Sequence, residues 1–121
     1  MKFMLLVHHS EAVLADLGET NLQRMREESV QLANQIDSKG QYVDAAPLQP
    51  AATATCIQVR NGKRMVTDGP FAETREQLGG YYLIKAKDLK EAIEIGGQIP
   101  GARIGTVEIR PVIELAGLPE R

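Results

Sequence analysis

Apolar positions fall into two periods along the chain, one of two residues and one of three to four. In Lys2 to His9, Phe3, Leu5 and Val7 share one face of an extended segment while Met4 and Leu6 share the other, which predicts a strand covered on both sides. Thr20 followed by Gln23 has the form of a capping box. Leu22, Met25, Ser29, Leu32 and Ile36 then recur at helical steps and predict a helix from about Asn21 to Lys39, which Gly40 ends with a left-handed residue. Gln41 to Ala46 reads as a second strand, halted by Pro47 and Pro50. Thr55 to Arg60 and Lys63 to Thr67 flank Asn61-Gly62, the dipeptide suited to the positive φ angles of a tight hairpin.

After a loop from Asp68 to Gly80, Tyr81 to Ala86 is again apolar on both faces, with Tyr81 and Leu83 opposed to Tyr82 and Ile84. Asp88 and Glu91 form a second capping box. The helix it opens carries the stripe Leu89, Ala92, Ile93 and Gly96, and Gly97, Pro100 and Gly101 end it. Gly79-Gly80 and Gly96-Gly97 read as bend or helix-ending residues rather than a phosphate loop. In the last segment, Thr106 to Val112, Val107 and Ile109 alternate with Glu108 and Arg110, as on a half-polar or edge strand.

With the hairpin set aside, the order strand, helix, strand, strand, helix, strand is the split βαβ arrangement, an α+β fold of ferredoxin-like βαββαβ type with an inserted β-hairpin. Its first and third strands are the central pair, and those are the two segments apolar on both faces. Two helices cover only one face of such a sheet, so a second copy, packed face to face as a symmetric dimer, is expected to cover the other. Leaving Met4, Leu6 and Leu83 in water would forgo roughly 1.5 to 3 kcal/mol per side chain.

The chain has 121 residues, the size of one domain spanning residues 1 to 121, with 43% apolar and 25% charged residues. A net charge of −2 with both signs interspersed gives no stripe to neutralise phosphates, so direct nucleic-acid binding is not expected. The single cysteine, Cys56, has no disulfide partner within the chain and suits a small buried residue in a reducing compartment. Phe3 to Val7 is too short to span a membrane and lacks the features of a signal peptide, so no membrane partner and a cytoplasmic location are expected.

The run Val66-Thr67-Asp68-Gly69-Pro70-Phe71-Ala72-Glu73-Thr74, continued by Glu76-Gln77-Leu78-Gly79-Gly80-Tyr81-Tyr82, closely resembles the DGPF-domain family, a branch of the YCII-related proteins. The likeness extends from Met1 to about Leu115 and takes in Pro47 to Thr55, the Asn61-Gly62 turn and Val107 to Pro111. The resemblance implies a dimeric α+β barrel of ferredoxin-like units. Some members of the family are fused or adjacent to extracytoplasmic-function sigma factors, which implies a link to transcription initiation. Others carry a proposed histidine and aspartate pair in a cleft, which implies an enzyme. That histidine lies on the first helix, where this chain has none; by spacing to Gly40 the position is Ser29.

Candidate chemistry gathers at a few positions. Asp68-Gly69-Pro70 is good turn chemistry, with Phe71 able to anchor the loop in the core. Alternatively, the loop lines a cleft with Asp68 as general base or hydrogen-bond acceptor and Glu73 and Arg75 at its mouth. His8 and His9 point to opposite faces of their strand, so at most one serves any pocket. Ser29 interrupts an apolar helix face: its hydroxyl either bonds back to the Met25 carbonyl or faces a polar cavity with Asp44 or Asp68. Tyr81 and Tyr82 straddle a central strand, one beneath the helices and one toward the dimer, where a phenol can donate to a small ligand.

No spacing indicates a metal site or a cofactor. Two functions stand nearly level. One is a dimeric small-ligand-binding or regulatory domain, linked through the resemblance to a sigma factor; the other is an enzyme using Asp68 with His8 or His9 for proton transfer on a small organic substrate. The dimer is open to sedimentation or light scattering at micromolar concentration, where a two-chain mass is expected and a stable, well-folded monomer rules it out.

Overall fold

A computed structural model describes residues 1–119. Strand β1 (Lys2–His9) runs into a short helix α1 (Glu11–Leu17) and a long helix α2 (Glu19–Ser38). Then follow β2 (Tyr42–Pro47), β3 (Thr55–Arg60), β4 (Lys63–Asp68), β5 (Gln77–Lys85), α3 (Leu89–Gly96) and β6 (Thr106–Pro111). Four strands make an open sheet in the order β2-β5-β1-β6 with every neighbouring pair antiparallel, and β3 and β4 pair only with each other. The architecture is α+β, with β1 and β5 at the centre of the larger sheet.

The alternation in β1 sorts its side chains by face. Phe3, Leu5 and Val7 join Tyr82 and Ile84 of β5 in one core, capped by Leu32 and Ile36 of α2 and by Ala92, Ile95 and Ile99 at α3 and just beyond it. Helices α2 and α3 therefore lie on one face. On the opposite face Met4, Leu6, Tyr81 and Leu83 form a half-buried apolar strip with Leu78 exposed beside it, flanked by His8, Glu108 and Arg110 on one side and Asp44 on the other. None of the helices is long and apolar enough to cross a membrane among the described residues.

The α3 stripe differs from the one expected. Ala92, Ile95 and Gly96 are the buried positions, and Leu89 and Ile93 are exposed. Residues 92, 95, 96 and 99 satisfy the helical period, and Ile93 sits off that face. Asp88 caps the helix as expected, its carboxylate accepting from the Glu91 amide at 2.9 Å, but the Glu91 carboxylate accepts from the Lys87 amide at 3.3 Å rather than from that of Asp88.

Thr20, by contrast, does not cap α2. The helix starts at Glu19 with Gly18 as its N-cap, because Gly18 (φ +80°) is also where the chain leaves α1. Helix α1, between Ser10 and Gly18, was not expected; its seven residues bury no side chain, so no apolar stripe announces it. Gly40 does take the left-handed conformation that ends α2 (φ +72°).

Two further features depart from the sequence reading. Strand β5 begins at Gln77 rather than Tyr81, because Gly79 and Gly80 lie within it at a β-bulge: Val7 pairs with Gly80 but His8 with Leu78, leaving Gly79 as the extra residue. The β3–β4 hairpin turns at Asn61 (φ +52°) and Gly62 (φ +75°), as the dipeptide requires. It leaves Ile57, Val59, Met65 and Val66 exposed, and Cys56 only half-buried.

Core and hairpin thus carry unequal shares of the burial. Leu5 is 0% exposed, so Leu5→Ala is expected to cost about 2–5 kcal/mol. Val66→Ala, on the solvated hairpin, should stay within about 0.5 kcal/mol of the parent. Urea denaturation of the two variants measures both, and comparable losses would contradict this assignment of the core.

Candidate functional site

The bulge decides where the histidines go. The extra residue is on β5, so the alternation along β1 is unbroken: His9 follows Phe3, Leu5 and Val7 onto the helix-covered face, and His8 follows Met4 and Leu6 onto the open one. His8 Nε2 donates to Glu108 Oε1 at 3.0 Å, across from Leu6 on β6. A carboxylate only accepts, so this bond places a proton on Nε2 and fixes the ring.

His9 is held differently. Its ring lies over the Cα of Gly79, in the space a side chain there would fill, and its Nδ1 is buried with no hydrogen-bond partner. Packing against glycine, not a hydrogen bond, sets the position of this imidazole. With no bond to the protein at Nδ1, either neutral tautomer is open to this ring.

His9 forms part of the wall of a cavity of about 600 Å³, bounded by the helix-side face of the sheet, by α2 from Leu22 to Asp37, and by the turn after α3. That is the size of a pocket for a small organic molecule. The apolar stripe of α2 divides here: Leu32 and Ile36 enter the core, while Leu22, Met25 and Ser29 line the cavity with Leu14 of α1. Arg103, in the turn that forms the far wall, bonds Glu28 of α2 at 2.8 Å and ties the two walls together.

Two of the residues lining this space, Ser29 and Tyr82, carry hydroxyls whose hydrogens are already committed. Ser29 Oγ donates to the Met25 carbonyl at 3.0 Å, and Tyr82 Oη donates to the Ser29 carbonyl at 2.9 Å. Burial raises the Tyr82 phenol above its ordinary value of 10.0. Tyr81 borders the cavity but turns its phenol the other way, donating to Asp44 Oδ2 at 2.8 Å; that carboxylate raises its pKa too.

Of the residues singled out in the sequence, the cavity brings together His9, Ser29, Tyr81 and Tyr82. It does not include His8, Asp44, Asp68, Phe71, Glu73 or Arg75. Asp68 ends β4 at the base of the hairpin, where the bonds that close the turn run from the Gly69 amide to the Ala54 carbonyl (2.7 Å) and from Cys56 Sγ to the Gly69 carbonyl (3.3 Å). Phe71 does not anchor this loop in the core: it is 90% exposed, because the chain there runs outside the helix-covered layer. Among the described residues no group of three His, Cys, Asp or Glu side chains is placed to hold a metal ion.

The sequence reading missed Gly79, Leu14 and the turn from Ile99 to Ile104 as parts of the wall. The glycine pair was visible but read as a bend. The turn gave no signal beyond its proline and glycine.

The model of the YCII-related domain matches residues 1–116. The chain belongs to the YCII-related domain family. It is similar to an uncharacterized protein of Rhizobium meliloti (strain 1021), 30% identical over 114 residues that cover 93% of this chain and 92% of that protein. In this YCII-related domain the cavity and the His8–Glu108 pair lie on opposite faces of one sheet, so the two histidines serve different surfaces.

The raised tyrosines give a pH dependence with a definite sign. The folded chain keeps the Tyr82 proton at a pH where the unfolded chain, at the ordinary value of 10.0, releases it. That stability is fully present below pH 10 and is lost as pH rises through the folded value. Urea midpoints measured on either side of pH 10 should therefore fall more steeply for the parent than for Tyr82→Phe; equal slopes would show that burial of this phenol is not felt.

Proposed function

We propose that this YCII-related chain is a small-molecule-binding domain whose ligand sits in the cavity beneath α2. In this reading the sheet order β2-β5-β1-β6 is that of a ferredoxin-like βαββαβ unit carrying an inserted hairpin, and the Asp68–Phe71 turn marks the DGPF branch of the family. A second copy covers Met4, Leu6, Tyr81 and Leu83 on the open face. A ligand-dependent state is what a regulatory partner, such as the sigma factor implied by family resemblance, would read.

One observation carries the proposal: a largely apolar cavity of about 600 Å³ has a few polar residues in its wall, the His9 imidazole, Ser29 and Tyr82 among them. A concave, mostly apolar site with a few convergent polar groups is what a small organic molecule fills. His8, bonded to Glu108, lies outside it. Acid–base chemistry on the bound molecule is the second reading, favoured by the same imidazole. It would rest on His9 without an aspartate to orient the ring, so binding asks less of the site.

A fragment screen read by protein NMR tests this. Fragments that bind are expected to shift the resonances of His9, Ala33, Ala45 and Tyr82 and to leave His8 and Asp68 in place. Gly79→Ala, whose methyl would collide with the His9 ring, should weaken those fragments about tenfold, the loss of one hydrogen bond. Asp68→Asn should leave them bound. Fragments that collect at the Asp68 loop, or that ignore Gly79→Ala while the fold is intact, refute the proposal.

A further inference from the structure

The hydrogen bonds already made inside the cavity restrict what can enter it. Ser29 and Tyr82 have each given their one hydroxyl hydrogen to a backbone carbonyl, at 3.0 and 2.9 Å. What they have left to offer is lone pairs, and lone pairs only accept. His9, which can take either neutral tautomer, can meet either a donor or an acceptor through a ring nitrogen.

Charge narrows the choice further. Among the described residues the charged side chains lining the cavity are Arg26 and Asp37, of opposite sign and both on the exposed side of α2; Arg26 lies 3.6 Å from Glu19, and Arg103 in the far-wall turn is bonded to Glu28. Each of these two cations already faces a carboxylate, and burying an anion among Val7, Leu22, Ala45 and Ile99 without a cation of its own is costly.

We infer that the cavity selects uncharged, largely apolar molecules bearing a hydroxyl or amino hydrogen-bond donor, and discriminates against their ethers and against carboxylates. This rests on the cavity being the ligand site. The donor is received by the oxygens of Ser29 and Tyr82, with His9 as a second polar contact. The selectivity comes from bonds that the backbone of α2 has already drawn, since both acceptor carbonyls, those of Met25 and Ser29, belong to that helix.

Three probes with one aromatic body separate these terms: 2-naphthol, 2-methoxynaphthalene and 2-naphthoate. The chain has no tryptophan, so naphthyl fluorescence can be followed against a background of three tyrosines. With the 121-residue chain at neutral pH, 2-naphthol is expected to bind about tenfold more tightly than either of the others, as for one net hydrogen bond. In Ser29→Ala and Tyr82→Phe, checked for folding by circular dichroism, the preference for 2-naphthol over its methyl ether should shrink in at least one variant while affinity for the ether is kept.

Equal or tighter binding of the ether or the naphthoate overturns the donor preference and leaves the cavity reading standing. A preference unchanged in both variants overturns the assignment of the two acceptors. Binding of none of the three at millimolar concentration overturns the cavity reading itself, and the inference with it.

Discussion

The pairing of β1 with β5 sets the rest of the molecule in place. Its register opposes Leu5 to Tyr82 and Phe3 to Ile84, giving α2 and α3 a continuous apolar floor, and it places both strands at the centre of the sheet. The same register has to absorb one extra residue, and it does so at Gly79, where the missing side chain leaves room for an imidazole. Core and candidate site are thus two ends of one ladder: regular pairing makes the floor, and the single irregularity makes the niche for His9.

Much of this layout was legible because it depends on local rules. Alternation in Lys2–His9 and around Tyr81–Ala86 identified the strands now seen at the centre, Asn61-Gly62 specified its hairpin, and Asp88 its helix start. The misses have physical causes. Helix α1 has no buried face and so no pattern to betray it. The Thr20 capping box was outcompeted by Gly18, which must turn the chain between two helices. Ile93 looked buried because it is apolar, but only the spacing of Ala92, Ile95 and Ile99 matches what the sheet can cover.

The candidate site was less legible than the fold. That His8 and His9 face opposite ways follows from strand geometry, but which one meets a cavity depends on the side the helices take and on which strand carries the bulge. Ser29 was singled out as an interruption of an apolar stripe. Its bond to Met25 was one of two readings left open, and the cavity the other; the structure shows the bond, with the residue at the cavity wall. The conspicuous run at Asp68–Phe71 lies elsewhere, at the foot of the hairpin, where its backbone bonds to Ala54 and Cys56 describe a closure.

That hairpin has a thermodynamic consequence of its own. Its ladder between Thr55 and Asp68 has no helix behind it and contributes no residue to the buried cluster. A two-stranded ribbon of this kind is only marginally stable in water. Opening it exposes little that was not already wet, so its amides can exchange with solvent through a local event that leaves the four-stranded sheet closed. The chain is therefore cooperative in its body and loose in its arm, and a solution probe that averages over all amides would mix two very different equilibria.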